Sequence, residues 1–425
     1  MLLRKIFICT VSLVLLLLFS SCLLNKSYYR SFNEIYTFPL KDKINVEYRF
    51  VHEDDKYTWV YYSLFSDQLN YKKTDFDSLY TAAFKISYRL PEGYGNKKAG
   101  DTVFFMLFDH VKKVSTHLIS GKVKLKIPQG FFSFLDLSFF DMNSGNRGFT
   151  SQFINKKDVY GAQNFFWITN KKQAAYRYYV NVGDTVWLMN NRVKQVGTIY
   201  TDFYKFSDQI ALPPFSTSAE LRTDKLSKQQ NINQINGKFS LVTDKSGIYF
   251  CSIAENRESG IGLICVPAEF PELRSADDKL NCMRYIMTAE EFQEATDKNI
   301  KSDSLVFLWK KFAGSERRAI ELMGEWYKRV SIANFYFTSF KEGWKTDRGM
   351  IFLVLGNPFR IEKSNEKEIW YYGDEKSLNS FSFEFDKINN PFTENDYQLQ
   401  RGITLKNKWY NAVDVWRKGR IYNGN

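Results

Sequence analysis

Strict alternation constrains this chain more than any other feature. In Lys122-Val123-Lys124-Leu125-Lys126-Ile127 three lysines interleave with three aliphatics. That period of two belongs to a strand, where successive side chains point to opposite faces. The lysines then face water and the aliphatics face a core. The same pattern recurs in Ile44–Phe50, Tyr57–Leu64, Phe84–Leu90, Val103–Phe108 and Phe134–Phe140, with polar turns at His52–Asp55 and Asp141–Gly148. Closely spaced short strands of this kind predict a β-sandwich over residues 43–165. Composition agrees: 38 Phe, 26 Tyr and 9 Trp against only 9 Pro in 425 residues favour β structure and exclude a collagen-like or disordered chain.

A second, smaller β-sandwich is predicted over residues 166–278. Tyr176–Val182, the Gly183-Asp184 turn and Thr185–Leu188 read as a hairpin. Phe239–Val242, Ile248–Ile253 and Ile261–Val266 continue the set, while polar Thr217–Gln234 reads as an exposed excursion. Cys251 and Cys265 flank the turn Glu255–Gly260. They are either a disulfide, which an oxidising compartment permits, or two buried free thiols.

The compartment is written in the first 22 residues. A short basic segment (Arg4, Lys5) precedes the apolar run Ile6–Phe19, which is too short to span a hydrocarbon core of ~30 Å. Ser20, Ser21 and Cys22 follow. The pattern resembles a bacterial lipoprotein signal, with an ordinary secretory signal as the alternative. The resemblance implies removal of residues 1–21 and acylation of Cys22 through a thioether, palmitate included. At ~0.8 kcal/mol per buried CH₂, two or three chains hold durably. Residues 22–42 then form a tether. Leu23–Ser27 lacks an acidic cluster, which favours the periplasmic face of the outer membrane over the cell surface.

From Thr288 the texture changes. Thr288-Ala289-Glu290-Glu291 is a capping box opening a helix over Ala289–Thr296. Further helices are predicted at Ser302–Phe312 and Ser315–Phe337, the latter with Ile320, Met323, Tyr327, Val330, Asn334 and Phe337 on its apolar face. Strands are predicted at Met350–Leu355, Glu368–Tyr372 and Phe381–Phe385. A last helix, Thr404–Lys418, carries Trp409, Val413 and Trp416 and ends at Gly419. Residues 279–425 therefore form an α+β domain, helices on a small antiparallel sheet.

Within this domain Gly343-Trp344-Lys345-Thr346-Asp347 resembles the pentapeptide of the GWxTD domain of Bacteroidota envelope lipoproteins. Further blocks appear in order: Phe307-Leu308-Trp309, Trp326–Phe337, Arg348-Gly349-Met350-Ile351-Phe352-Leu353 with Gly356-Asn357-Pro358, Glu368-Ile369-Trp370 with Tyr372, and Trp416-Arg417 with Gly419. The resemblance covers roughly residues 285–425 and implies no established activity. Trp344 suits a ring sealing a helix–sheet seam, and Thr346 and Asp347 suit backbone donors at a strand entry. Arg348 suits a carboxylate partner. Gly343, Trp344, Thr346, Asp347, Arg348, Gly349, Glu368 and Trp370 thus form either a fold-defining corner or a partner-binding site. An acid/base pair of Asp347 and Glu368 is the hydrolase-like alternative.

The sequence lacks a nucleophile elbow, P-loop, H-E-x-x-H, calcium loop or zinc-spaced Cys/His set. His110 and His117 flank the turn Val111–Thr116, and Ser364–Lys367 matches S-x-x-K between two strands. The expectation is no cofactor, no metal, no nucleic acid and no catalysis. The chain reads as a lipid-anchored structural or interaction protein presenting its C-terminal domain to an envelope protein complex. A periplasmic glycan- or peptidoglycan-binding lipoprotein is the alternative, suggested by the aromatics and a net charge of +12.

Overall fold

The computed structural model describes residues 30–32, 44, 46–73, 79–90, 102–169, 179–193, 197–217, 226–233, 239–255, 257–273, 275–298, 305–364, 366–373, 380–390 and 392–424. The signal-like segment, Cys22 and most of the 22–42 tether lie outside them. The first described strand, β1 (Arg30–Phe32), belongs to the C-terminal sheet.

Two antiparallel sheets form the first unit. One has the order β2 (Glu47–His52), β3 (Tyr57–Phe65) and β7 (Leu118–Lys126). In the other, β5 (Tyr80–Arg89) lies between β6 (Thr102–Val111) and β8 (Phe132–Asp141), with β4 (Lys72–Lys73) also on β5 and β9 (Arg147–Asn155) beyond β8. Phe50, Val60, Leu64, Phe84, Ile86, Val123, Leu125, Leu137 and Phe139 fill the space between them. Lys122, Lys124 and Lys126 are exposed and Val123, Leu125 and Ile127 buried, as the alternation requires.

The second unit stacks β10 (Phe165–Thr169), β12 (Thr185–Asn190) and β15 (Phe239–Val242) on a five-stranded sheet. That sheet has the order β11 (Tyr179–Asn181), β17 (Ile261–Val266), β16 (Gly247–Ser252), β13 (Thr198–Lys205) and β14 (Leu226–Asn233). Two expectations change here. The hairpin across Gly183-Asp184 is instead a crossover: β11 pairs in parallel with β17, and β12 pairs with β10 and β15 in the opposite sheet. Asp184 holds this corner, accepting from Asn181 N at 3.0 Å. The polar stretch read as an excursion contains β14, paired along β13. It is an edge strand whose outer side chains meet water, so its polarity conceals its pairing.

β16 is buried at all six positions. One face of its sheet closes on the three-stranded layer through Tyr249, Cys251 and Leu263. The other packs Ile248, Ile264 and Val266 against Phe340, with Phe392 alongside. Cys251 and Cys265 are free and buried. The register sets Cys251 opposite Ile261 and Cys265 opposite Gly247, so the near-symmetric flanking of the turn does not make them face each other.

The C-terminal part is α+β. Its helices are α1 (Ala276–Cys282), α2 (Ala289–Asp297), α3 (Leu305–Ala313), α4 (Glu316–Phe337), α5 (Asp347–Leu355) and α6 (Lys406–Arg417). Its antiparallel sheet runs β1, β18 (Arg360–Lys363), β19 (Lys367–Tyr372), β20 (Phe381–Lys387) and β21 (Tyr397–Leu399). The capping box forms as expected, with Thr288 N donating to Glu291 and Glu291 N to Thr288 Oγ1. The predicted strand Met350–Leu355 is instead the core helix α5, buried along its whole length. An unbroken apolar run lacks periodicity, and a short buried helix reads the same as a buried strand. On α4 the buried stripe runs Ala319, Leu322, Trp326, Val330, Ala333 and Phe337, while Ile320 is 53 % exposed. Two alanines and the buried Arg329 and Asn334 lie on that face, so hydrophobicity alone points to the wrong side of the first turns. Among the described residues no helix is long and apolar enough to cross a membrane.

Candidate functional site

The corner begins at the end of α4. Asn334 is 1 % exposed, so its amide must find partners. It donates to Pro271 O at 2.8 Å and accepts from Trp344 N at 3.2 Å. One turn later Thr338 Oγ1 donates to Asn334 O at 2.7 Å and accepts from Gly343 N at 2.9 Å. These bonds fold the chain back onto the helix it has just left. At Gly343 the approach is so close that a Cβ would lie 1.9 Å from Ala333 O. Only glycine fits there.

Gly343–Lys345 then makes a single 3₁₀ turn. The Trp344 ring is fully buried in the C-terminal core. Its indole N–H donates to Glu342 at 3.1 Å, and its backbone carbonyl accepts from Tyr285 OH at 3.0 Å. Thr346 is the N-cap of α5: its hydroxyl accepts from Gly349 N at 3.0 Å and donates to Gly343 O at 2.7 Å. The backbone donors at this entry are met as expected, but at a helix rather than a strand. Gly349 packs so tightly on the preceding turn that a Cβ would stand 1.8 Å from Gly343 O.

The charged residues part company at the helix start. Asp347 accepts from Leu399 N at 2.7 Å and pairs with Arg401, tying α5 to the end of β21. An acidic side chain in the first helical turn also suits the helix dipole. Arg348, 1 % exposed, points to the sheet. Its Nη1 lies 3.3 Å from both oxygens of Glu368, and its Nη2 donates to Asn395 O at 2.9 Å and Asn395 Oδ1 at 2.6 Å. The guanidinium lies 4.0 Å from the Tyr397 ring centroid. Glu368, fully buried, also receives Lys363 at 3.1 Å and the Trp370 indole N–H at 3.2 Å.

Of the predicted site residues the structure thus joins Arg348, Glu368 and Trp370 in one buried cluster. Gly343, Trp344, Thr346 and Gly349 form a second, and Asp347 takes its own partners. The two carboxylates of the suggested acid/base pair are each occupied by different cations. Sequence reasoning missed Thr338, Asn395 and Arg401. Asn395 alone offered a signal, in the Asn- and Asp-rich loop before β21. Arg329 was also missed. It is 4 % exposed and donates to Leu353 O at 3.2 Å, Tyr422 O at 2.7 Å and Asn423 at 2.9 Å. It thereby caps the C-terminal end of α5 and fastens the chain's last residues.

Other candidates resolve locally. His110 contacts Thr81 Oγ1 at 2.8 Å, and His117 pairs with Asp109 at 3.0 Å. No group of three or more metal-ligating side chains forms among the described residues. The Ser364 hydroxyl accepts from Glu366 N and Lys367 N, bracketing the turn between β18 and β19. An open cleft of about 470 Å³ lies elsewhere, between β14 and β15, lined by Lys228, Gln230, Asn231, Ser240 and Asp244.

Two buried titratable groups, His52 and Lys156, lie beside the second β unit, whose Asn191 and Arg192 side chains donate to their backbone carbonyls at 3.0 Å. His52 contacts Thr58 Oγ1 at 2.9 Å and Asn155 O at 3.3 Å. Burial, with help from Lys156 and Arg192, pushes its pKa down to about 3. Lys156 donates to Ile127 O at 2.9 Å, and burial lowers it to about 8.

Residues 247–418 match the family model of the GWxTD domain. No curated protein matches the chain. The match reaches further towards the N-terminus than the motif blocks do, taking in β16 and β17.

Proposed function

Since the C-terminal part of the chain is a GWxTD domain, we propose that the protein is a non-enzymatic interaction protein of the cell envelope. In this reading it is anchored by acylated Cys22 on the periplasmic face of the outer membrane and presents that domain to a protein complex. The observation that carries the reading is the spent polarity of the motif. Asp347, Arg348 and Glu368 are buried and bonded within the fold, so these side chains are spent on holding the corner together and do not line an open chemical site. The signal-like segment and Cys22 supply the anchoring half of the proposal.

Crosslinking and pull-down of a tagged full chain from native membranes tests it, with mass spectrometry of the N-terminus. The expected result is a diacyl or triacyl thioether at Cys22 and a reproducible envelope protein set that is lost on unfolding the C-terminal domain. An unmodified N-terminus overturns the anchor. Turnover of a substrate that stops on a single carboxylate substitution overturns the rest.

One observation favours a glycan-binding reading as the second choice. On β3, Tyr57, Trp59 and Tyr61 stand opposite Lys126, Lys124 and Lys122, with the Lys122 ammonium 4.3 Å from the Trp59 ring centroid. Seven of the nine tryptophans are buried, but Trp59 and Trp187 are not. Retention on insoluble peptidoglycan that Trp59→Ala abolishes would favour it.

A further inference from the structure

β6 combines an apolar outer face with an edge that is open among the described residues. Phe104 is 60 % exposed, Met106 40 % and Phe108 58 %, while the alternate residues Phe105 and Leu107 pack on the core of the first sandwich. The register carries this face across the sheet. Met106 lies opposite Lys85, and Lys85 opposite Phe140; Phe108 lies opposite Ala83, whose carbonyl accepts from Met142 N. The Lys85 ammonium sits 5.8 Å from the Phe104 ring centroid and 5.3 Å from that of Phe140.

Among the described residues β6 pairs with β5 alone. Its stretch Thr102–Phe108 contains no charge and no proline. A long, uncharged edge of this kind recruits another strand unless charge, proline or a bulge blocks it.

We infer that β6 is a dimerisation strand, pairing antiparallel with β6 of a second copy about a two-fold axis at Met106. The strand is self-complementary in that register. Phe104 meets the partner's Phe108, Phe105 meets the partner's Leu107, and Met106 meets its own counterpart. Asp109 falls opposite the partner's Val103 and His110 opposite the partner's Thr102, so no like charges meet. The outer patches of the two copies merge into one continuous face. The exposed parts of Phe104, Met106 and Phe108 amount to ~300 Å² per copy, taking a large side chain as ~200 Å². Edge pairing covers the flanks of these side chains and the two backbone edges and leaves their outer surface open, so the contact lies below ~1,000 Å², in the range of a weak, concentration-dependent dimer. Because each copy uses its one β6 edge, the contact closes at two.

The test uses the full chain carrying Met106→Cys in native membranes under mild oxidation. The expected product is a disulfide-linked species of twice the mass of the mature chain, absent from the parent chain with its own cysteines. Phe104→Lys and Phe108→Lys lie on the solvent face and leave the circular dichroism unchanged. In sedimentation of the detergent-solubilised chain each weakens dimerisation at least tenfold. A chain that sediments as a monomer at every concentration and leaves the introduced thiol unlinked overturns the inference. A monomer held on phospholipid vesicles through Phe104 overturns it too, because the bilayer is then what covers this face.

Discussion

Glu368→Gln keeps the shape of the buried pair and removes its charge. Glu368 is fully buried, and three donors converge on it: Arg348 at 3.3 Å, Lys363 at 3.1 Å and the Trp370 indole at 3.2 Å. Breaking a buried ion pair from one side costs about 3–5 kcal/mol, because the remaining charge is left uncompensated. Lys363, with 20 % of its side chain exposed, can turn to water and adds little. Arg348 keeps Asn395 and the Tyr397 ring, which places the cost near the lower bound, about 3 kcal/mol. Arg348→Met alone should cost a similar amount. The double variant should recover about 2 kcal/mol relative to the sum, since the two changes remove one shared interaction. Urea unfolding followed by tryptophan fluorescence reads this out, with Trp370 beside the perturbed group. A Glu368→Gln loss below ~1 kcal/mol, or strict additivity in the cycle, would refute the view that this pair holds α5 to the sheet.

Gly343→Ala and Gly349→Ala each place a Cβ within 2 Å of a backbone carbonyl and should destabilise by ~3 kcal/mol or more, the upper end of overpacking costs. Gly324→Ala, at an exposed position of α4 with open space around it, should instead stabilise by ~0.5–1 kcal/mol, so thermal melts of the three variants separate close approach from simple helix propensity. His52 takes up its proton near its ordinary value of 6.5 when unfolded and near 3 when folded. Its contribution is therefore complete above pH 6.5 and falls away as the pH drops towards 3, by about 2 kcal/mol at pH 5. Urea midpoints measured from pH 7 to pH 5 should show this slope, and His52→Gln should flatten it.

What the sequence reveals depends on how many faces of an element meet water. β7 has one wet face, so its lysines write its strand period into the letters, and α6 shows its tryptophan stripe for the same reason. β16 and α5 are covered on all sides. Their residues are uniformly apolar, and the choice between strand and helix passes to what flanks them. For α5 the deciding residue is Thr346, whose hydroxyl caps a helix. The same hydroxyl suits a strand entry, so the letter alone does not choose between the two. The β11–β12 connection fails differently: Gly-Asp is good turn chemistry, yet a turn does not say whether the chain returns to the same sheet or crosses to the facing one. In the corner itself the motif letters were legible, but their partners Asn395 and Arg401 come from either side of β21, about 50 residues downstream, and no local pattern announces such a meeting.

The sheet containing β16 and β17 has a dry layer on each side, one from the second sandwich and one from the C-terminal domain. A wall with rooms on both sides cannot be assigned to either. Cutting the gene at the apparent boundary near residue 279 would strip one room of its wall and leave Phe340 and Phe392 facing solvent. A piece meant to keep both rooms dry has to begin at or before residue 247, where the family match also starts.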